Sequence, residues 1–151
     1  MPGTSFFMLS FEKAKSSQAS LKKAYQVRLA KEAATLVKDG AKEWTKAADV
    51  FLYSRIYYFH RGNRTVDTDN VNKPILDALK GIVFADDSQV KWCMVAKIDI
   101  ATNPIVDSEG LPEQWFEQLS EALTDDTRHD IIFIEIGEYL DAKIFFGRET
   151  R

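Results

Sequence analysis

Residues 50–60 read VFLYSRIYYFH. Val50, Leu52, Ser54, Ile56 and Tyr58 alternate with Phe51, Tyr53, Arg55, Tyr57 and Phe59, and both sets are largely apolar. A strand with two apolar faces needs cover on both, so the segment predicts a central strand in a layered fold. On its C-terminal side RGNRT (61–65) is a basic loop, and the period then changes. Asp69 or Asn70 caps a helix whose buried stripe is Val71, Ile75, Leu76 and Leu79. Pro74 falls near its start and Gly81 ends it. ADDS (85–88) is a turn, and QVKWCMVAKIDI (89–100) alternates again as a strand. Val90, Trp92, Met94, Ala96 and Ile98 share one face, and Cys93 is expected buried and inert in mid-strand.

The outer parts follow the same logic. SFFMLSF (5–11) reads as a strand. Ser16 or Ser17 caps a helix running to about Lys38, with Leu21, Tyr25, Leu29, Ala33 and Leu36 as its stripe and Gly40 as its stop. ATNPIVDSEG (101–110) is a loop, LPEQWFEQLSEAL (111–123) an acidic amphipathic helix, and DIIFIEIGEY (130–139) a last strand. Trp115, Phe116, Leu119 and Leu123 form the apolar side of that helix, and both aromatics are expected in the core. The order is β-α-β-α-β-α-β, which predicts an α+β fold with one mixed sheet and helices packed on it. The 151 residues suit a single domain spanning 1–151.

Bulk properties exclude more than they assign. Apolar residues at 45% and charged residues at 28% are an ordinary globular balance, so disorder is not expected. No apolar run approaches the roughly 18 residues of a membrane span. The first residues lack the basic start and cleavage site of a secretory signal, and the lone Cys93 forms no intrachain disulfide, so a cytoplasmic location is expected. The net charge of −3 argues weakly against a nucleic-acid partner, but the charge is unevenly spread. Residues 12–46 carry nine Lys/Arg against four acids, whereas 98–127 carry eight acids and no Lys or Arg. Such a chain either has two solvated faces or presents one of them to phosphates.

The chemistry concentrates in TVDTDNVNKPILDALKGIVFADDSQV (65–90). Asp67, Asp69, Asp77, Asp86 and Asp87 crowd this stretch, with Lys73 four residues after Asp69. Converging carboxylates repel one another unless a cation lies between them. Oxygen ligands of this kind suit Mg2+ or Mn2+, and an ion so held activates water for phosphodiester hydrolysis. Lys73 would then face developing negative charge. The other reading is structural: Asp69 and Asn70 are ordinary helix caps, and Asp86-Asp87-Ser88 is ordinary turn composition. Asp77 lies at helical spacing from Lys73 and Lys80, which reads as a surface ion pair. His60 reads as a solvated or hydrogen-bonded histidine, and His129 as a loop residue.

The motifs Asp67-Thr68-Asp69-Asn70-x-x-Lys73, Asp77-Ala78-Leu79 and Asp86-Asp87-Ser88-Gln89-Val90 come in the order and spacing of a known family. The chain resembles the RusA family of Holliday junction resolvases across about residues 65–98, and more loosely over the strand before. These are small dimeric endodeoxyribonucleases, often encoded by prophages. The resemblance implies that Asp67, Asp69 and Asp87 bind Mg2+, with Mn2+ as a substitute, and that Lys73 is needed for cleavage. Asp86 becomes an outer-ligand candidate and Asn70 a supporting residue. A homodimer acting on four-way branched DNA is implied too, because a two-fold dimer presents one site to each strand to be nicked. Arg61 and Arg64, with Lys13, Lys15, Lys22 and Lys23, are then candidates for phosphate contacts.

Departures from the family lie outside the motifs. EKAKSSQASLKK replaces the usual Pro/Asn-rich basic loop, and an acidic insertion at about 101–128 and a tail after Tyr139 are added. Two rival readings remain. One is a non-catalytic branched-DNA or partner-binding module of the same fold. The other is an aspartyl-phosphate phosphatase, whose nucleophilic aspartate ends a buried strand, whereas Asp67 follows the charged RGNRT loop.

Overall fold

The computed structural model describes residues 5–16, 19–39, 50–139 and 146–147. The strands are β1 (Phe6–Ser10), β2 (Leu52–His60), β3 (Val90–Asp99) and β4 (Asp130–Glu138). The helices are α1 (Lys22–Lys38), α2 (Thr68–Leu79) and α3 (Glu113–Thr124). Two single 3-10 turns, Asp87–Gln89 and Ile100–Thr102, flank β3. The element order is the expected one, and the sheet is mixed. Its strands run β1-β4-β2-β3, with β2 parallel to β3 and antiparallel to β4, and β1 antiparallel to β4.

Alternation sorts the core into two layers. Phe6 and Met8 of β1, Leu52, Ile56 and Tyr58 of β2, and Ile132, Ile134 and Ile136 of β4 point to one side. There they meet Tyr25, Leu29 and Ala33 of α1 and Val71, Ile75, Leu76 and Leu79 of α2. Phe7, Phe59, Ile131 and Phe133 point to the other side and meet Leu119 and Ala122 of α3. Trp115 packs there between Phe7 and Phe133, at ring-centroid distances of 6.2 and 6.1 Å. Phe116 is only partly covered and stays outside that cluster.

β2 is central, but its cover is unequal. Its helix side is sealed, while on the α3 side only Phe59 is buried and Arg55 is exposed. The uncovered half holds a cavity of about 550 Å3 lined in part by Tyr53, Arg55, Tyr57 and Glu135. Tyr53 lies flat over Gly137, where even a Cβ would sit 2.4 Å from its ring. Its hydroxyl donates to Glu135 at 2.6 Å.

Six sequence expectations are corrected. α1 begins at Lys22 with Leu21 at its N-cap, not at Ser16, and Leu21 is 62% exposed rather than part of the stripe. Buried Ala14 anchors the preceding segment, which then turns through Ala19, whose N–H donates to the Ser16 carbonyl. Ser17 and the Gly40 stop lie outside the described residues. α2 begins at Thr68 with Asp67 at the N-cap, so neither Asp69 nor Asn70 caps it. Pro74 lies in the helix interior rather than its first turn, and its missing N–H leaves the Asn70 carbonyl without an i+4 donor. In β3 the register shifts between Leu52 and Tyr53, which pair with Val90 and Trp92 and leave Lys91 as the extra residue. Val90 therefore packs with the helix layer, and Trp92, Met94, Ala96 and Ile98 take the opposite face. Cys93 is exposed, because β3 is an edge strand whose outer side no described helix covers.

Candidate active site

β2 delivers the chain to the candidate site. After His60, whose Nδ1 lies 2.8 Å from the Gly62 carbonyl oxygen, residues 61–67 cross to the head of α2. Two arginines hold this crossing. Arg61 donates to the carbonyls of Arg128 and Leu123, both at 2.9 Å, and so captures the end of α3. Arg64 forms a two-pronged pair with Asp130, Nε to Oδ1 at 2.8 Å and Nη2 to Oδ2 at 3.0 Å. Tyr58 also donates its hydroxyl to Asp130. Burial alone would raise the Asp130 carboxyl, but hydrogen bonds from Arg64 and Tyr58 outweigh it and hold the group below its ordinary range. The Arg64 guanidinium is raised in turn, chiefly by its bond to Asp130. Arg61 and Arg64, expected as phosphate contacts, thus direct most of their donors into the chain.

A third cation was not singled out in the sequence. Lys97 of β3 is half-buried, and its Nζ donates to the carbonyls of Arg64 at 2.5 Å and Val66 at 3.1 Å. These bonds fix the residues that lead into Asp67. The available signal was alternation: with the bulge at Lys91 placed, Lys97 falls on the same inward face as Val95.

Asp67 takes the N-cap position of α2 in an extended conformation, φ −77° and ψ 155°. Its carbonyl accepts the Val71 N–H at 3.0 Å, but its side chain makes no capping bond. The carboxylate is exposed, as is that of Asp69 in the first turn. A shallow cleft of about 490 Å3 opens over this end, lined by Lys13, Lys15, Ser16, Arg64, Asp67 and Asn70 among others. The basic segment after β1 therefore reaches Asp67 and Asn70. Lys22 and Lys23 begin α1 beyond that segment. Lys73 lies on α2 with its Nζ 3.6 Å from Asp77, the expected surface pair.

The second aspartate group behaves differently. Asp86 caps the 3-10 turn: its carboxylate accepts the Ser88 N–H at 3.1 Å, and Gln89 Oε1 accepts the Asp86 N–H at 3.0 Å. Bonds from Ser88 first, and then from Lys80, lower the Asp86 carboxyl to about 2. Lys80 lies 3.0 Å from Asp86 and 4.0 Å from exposed Asp87, so its recorded ion pairs go to these residues rather than to Asp77.

The two groups sit at opposite ends of α2, whose 12 residues span roughly 18 Å. Among the described residues, no three His, Cys, Asp or Glu side chains are placed to hold one metal ion. Within one chain, then, Asp87 does not join Asp67 and Asp69. The head of α2 still fits a hard divalent cation in donor chemistry. Mg2+ is commonly held by one or two carboxylates together with water and substrate phosphate; Asp67 is an exposed carboxylate lining a basic cleft, and Asp69 is exposed in the next turn.

The family model for endodeoxyribonuclease RusA matches residues 10–106. The match runs from the end of β1 to just past β3 and includes Asp67, Asp69, Lys73, Asp86 and Asp87. It leaves out α3 and β4. No curated protein matches the chain. A family match over more than half of the sequence, carrying every motif aspartate, makes this chain a member of the RusA endodeoxyribonuclease family.

Proposed function

We propose that this chain is a divalent-metal-dependent, structure-specific endonuclease that resolves four-way DNA junctions by paired phosphodiester hydrolysis, in DNA recombination and repair. It acts as a homodimer in the cytoplasm, with Mg2+ as its ion and Mn2+ as a substitute. One observation carries this reading: Asp67 stands exposed at the N-cap of α2, makes no capping bond, and lines a cleft that Lys13 and Lys15 also line. A structural cap would have turned its carboxylate onto the helix N–H groups.

The residues divide the work. Asp67 and Asp69 present carboxylate oxygens at the head of α2. A bound divalent ion there would lower the pKa of water and offset phosphate charge. Lys73, one turn up from Asp69, faces the charge that develops on the phosphate oxygens, and Asn70 lines the cleft beside Asp67. Hydrolysis forms one P–O bond to water and breaks one backbone P–O bond, leaving a phosphate end and a hydroxyl end. Lys13 and Lys15 hold the DNA backbone, and Lys22 and Lys23 extend that contact. Arg61 and Arg64 add phosphate contact through donors not used in bracing the loop.

The test uses a labelled four-way junction and a linear duplex of the same sequence, with Mg2+ or with EDTA, and Asp67→Asn alongside. Paired nicks on the junction alone, absent with EDTA and in the variant, are expected. Tight junction binding without nicks under any divalent ion would overturn the catalytic reading in favour of a binding module.

A further inference from the structure

We infer that Glu12 and Arg28 are positioning residues for DNA binding: they clamp the segment after β1 so that Lys13 and Lys15 wall the cleft beside Asp67. This rests on the junction-cutting reading above and says what holds two of its phosphate contacts in place. Burial alternates along the segment. Phe11 and Lys13 are exposed, while Glu12 and Ala14 turn toward the protein. Ala14 is buried in the helix-side core with Tyr25. Glu12 meets Arg28 of α1, whose Nε lies 2.9 Å from Oε1 and 3.0 Å from Oε2, with Nη2 at 2.8 Å from Oε1. A carboxylate gripped by two guanidinium nitrogens is fixed in direction as well as position. The Glu12 N–H also donates to Ser10 Oγ at 3.3 Å, and the Arg128 guanidinium lies 3.7 Å over the Phe11 ring.

The same helix is tied to the candidate site. Gln26 of α1 donates from Nε2 to the Pro74 carbonyl of α2 at 3.1 Å. Gln26 and Arg28 lie about 200° apart around the helix, so α1 meets α2 on one side and the lysine segment on another. Lys13 and Lys15 are thereby set against the head of α2 across the cleft that Arg64, Asp67 and Asn70 also line. Without the clamp, two long side chains on an irregular segment would have to be ordered when DNA arrives, at a cost in affinity. Charge alone argues the other way. An acid beside two phosphate-binding lysines repels the DNA backbone, and its removal should strengthen binding. A clamp predicts the opposite sign, because releasing Glu12 from Arg28 lets the lysines drift from the cleft.

The test measures affinity for a labelled four-way junction by fluorescence anisotropy in EDTA, over a range of salt, and nicking kinetics in Mg2+. Glu12→Gln should weaken binding about fivefold although an acid is removed, the cost of ordering freed side chains. The slope of log affinity against log salt should become shallower by about one to two, the share of two phosphate contacts. KM should rise with the loss of affinity while kcat stays within about twofold, since the head of α2 is untouched. Arg28→Gln should behave alike, and the two substitutions together should be no weaker than either alone. In a Lys13→Ala, Lys15→Ala background, neither clamp substitution should weaken binding further. Urea midpoints check that each variant is folded, and if Glu12→Gln does not fold, Arg28→Gln carries the same comparisons. Binding by Glu12→Gln as tight as wild type or tighter, with an unaltered salt slope, overturns the clamp. So does further weakening in the lysine-free background, which would mean that Glu12 or Arg28 acts by another route. Lysine-free chains that bind like wild type also overturn it, and leave metal-dependent cutting standing. The expected losses in a wild type that binds junctions but never nicks uphold the clamp and remove the nuclease reading. A wild type with no affinity for the junction removes both.

Discussion

At the head of α2, Asp67 occupies the N-cap position, makes no capping bond and faces a basic cleft. At its foot, Asp86 closes a capping box with Ser88 and Gln89 and pairs with Lys80. The same residue type sits at both ends of one helix, yet one carboxylate is satisfied by the fold and the other makes no capping bond. A helix N-terminus favours negative charge, which offsets part of the repulsion of holding Asp67 and Asp69 together. Asp86, in contrast, is stabilised locally, which is why its carboxyl is driven so low.

The sharpest way to break this contrast is to neutralise each aspartate in turn. Asp67→Asn should lower junction nicking by at least about a hundredfold, and leave junction binding equal or stronger because a negative charge is removed. Gel shift and nicking assays on one preparation read both. Equal nicking by Asp67→Asn and wild type would remove the difference between the two ends.

The head of α2 also depends on a brace that the foot lacks. Asp130 holds Arg64 from β4 and is largely shielded, with 14% of its side chain exposed. Asp130→Asn leaves that arginine without its charge partner and should cost about 2–3 kcal/mol, read as a lower midpoint in urea. The pH dependence follows from the depressed Asp130 carboxyl. Its contribution is full above the unfolded value of about 3.9 and fades as pH falls through the lower folded value. The gap in stability between wild type and Asp130→Asn should therefore narrow on acidification below about pH 4. A gap that stays constant from pH 7 to pH 3 would show that the pair acts by packing alone.

Much of this was legible in the sequence, and the misses have physical causes. β2 and α2 could be read because their apolar periods are long and unbroken. The start of α1 could not, because Ala14 is pulled into the core and the helix begins only at Lys22, past Ser16. The faces of β3 change at a one-residue bulge, which leaves no mark in a short apolar run. The motif named Asp67, Asp69 and Asp87 but not their separation, since the path from Gly81 back to the sheet is a matter of tertiary geometry. Arg61 and Arg64 read as phosphate contacts because their partners in the fold, Asp130 and the carbonyls ending α3, lie more than sixty residues away.

Two smaller effects refine the comparison. Lys97→Met removes the donor that fixes the Arg64 and Val66 carbonyls and should slow nicking about tenfold while the fold persists. Lys97→Arg, which keeps a donor there, should recover part of the loss, whereas a purely electrostatic role would be rescued in full. Asp86→Asn should do least. An asparagine side chain still accepts the Ser88 N–H, so the turn remains and only the attraction to Lys80 is lost. Nicking should stay within about threefold of wild type, since exposed ion pairs contribute little. The variant also bears on how the neighbouring carboxylate works: with Asp86 neutral, Asp87 is the ion-pair partner left to Lys80 at the foot of α2. A loss as large as that of Asp67→Asn would make Asp86 a metal ligand and not a cap, and the two ends of α2 would then be doing the same work.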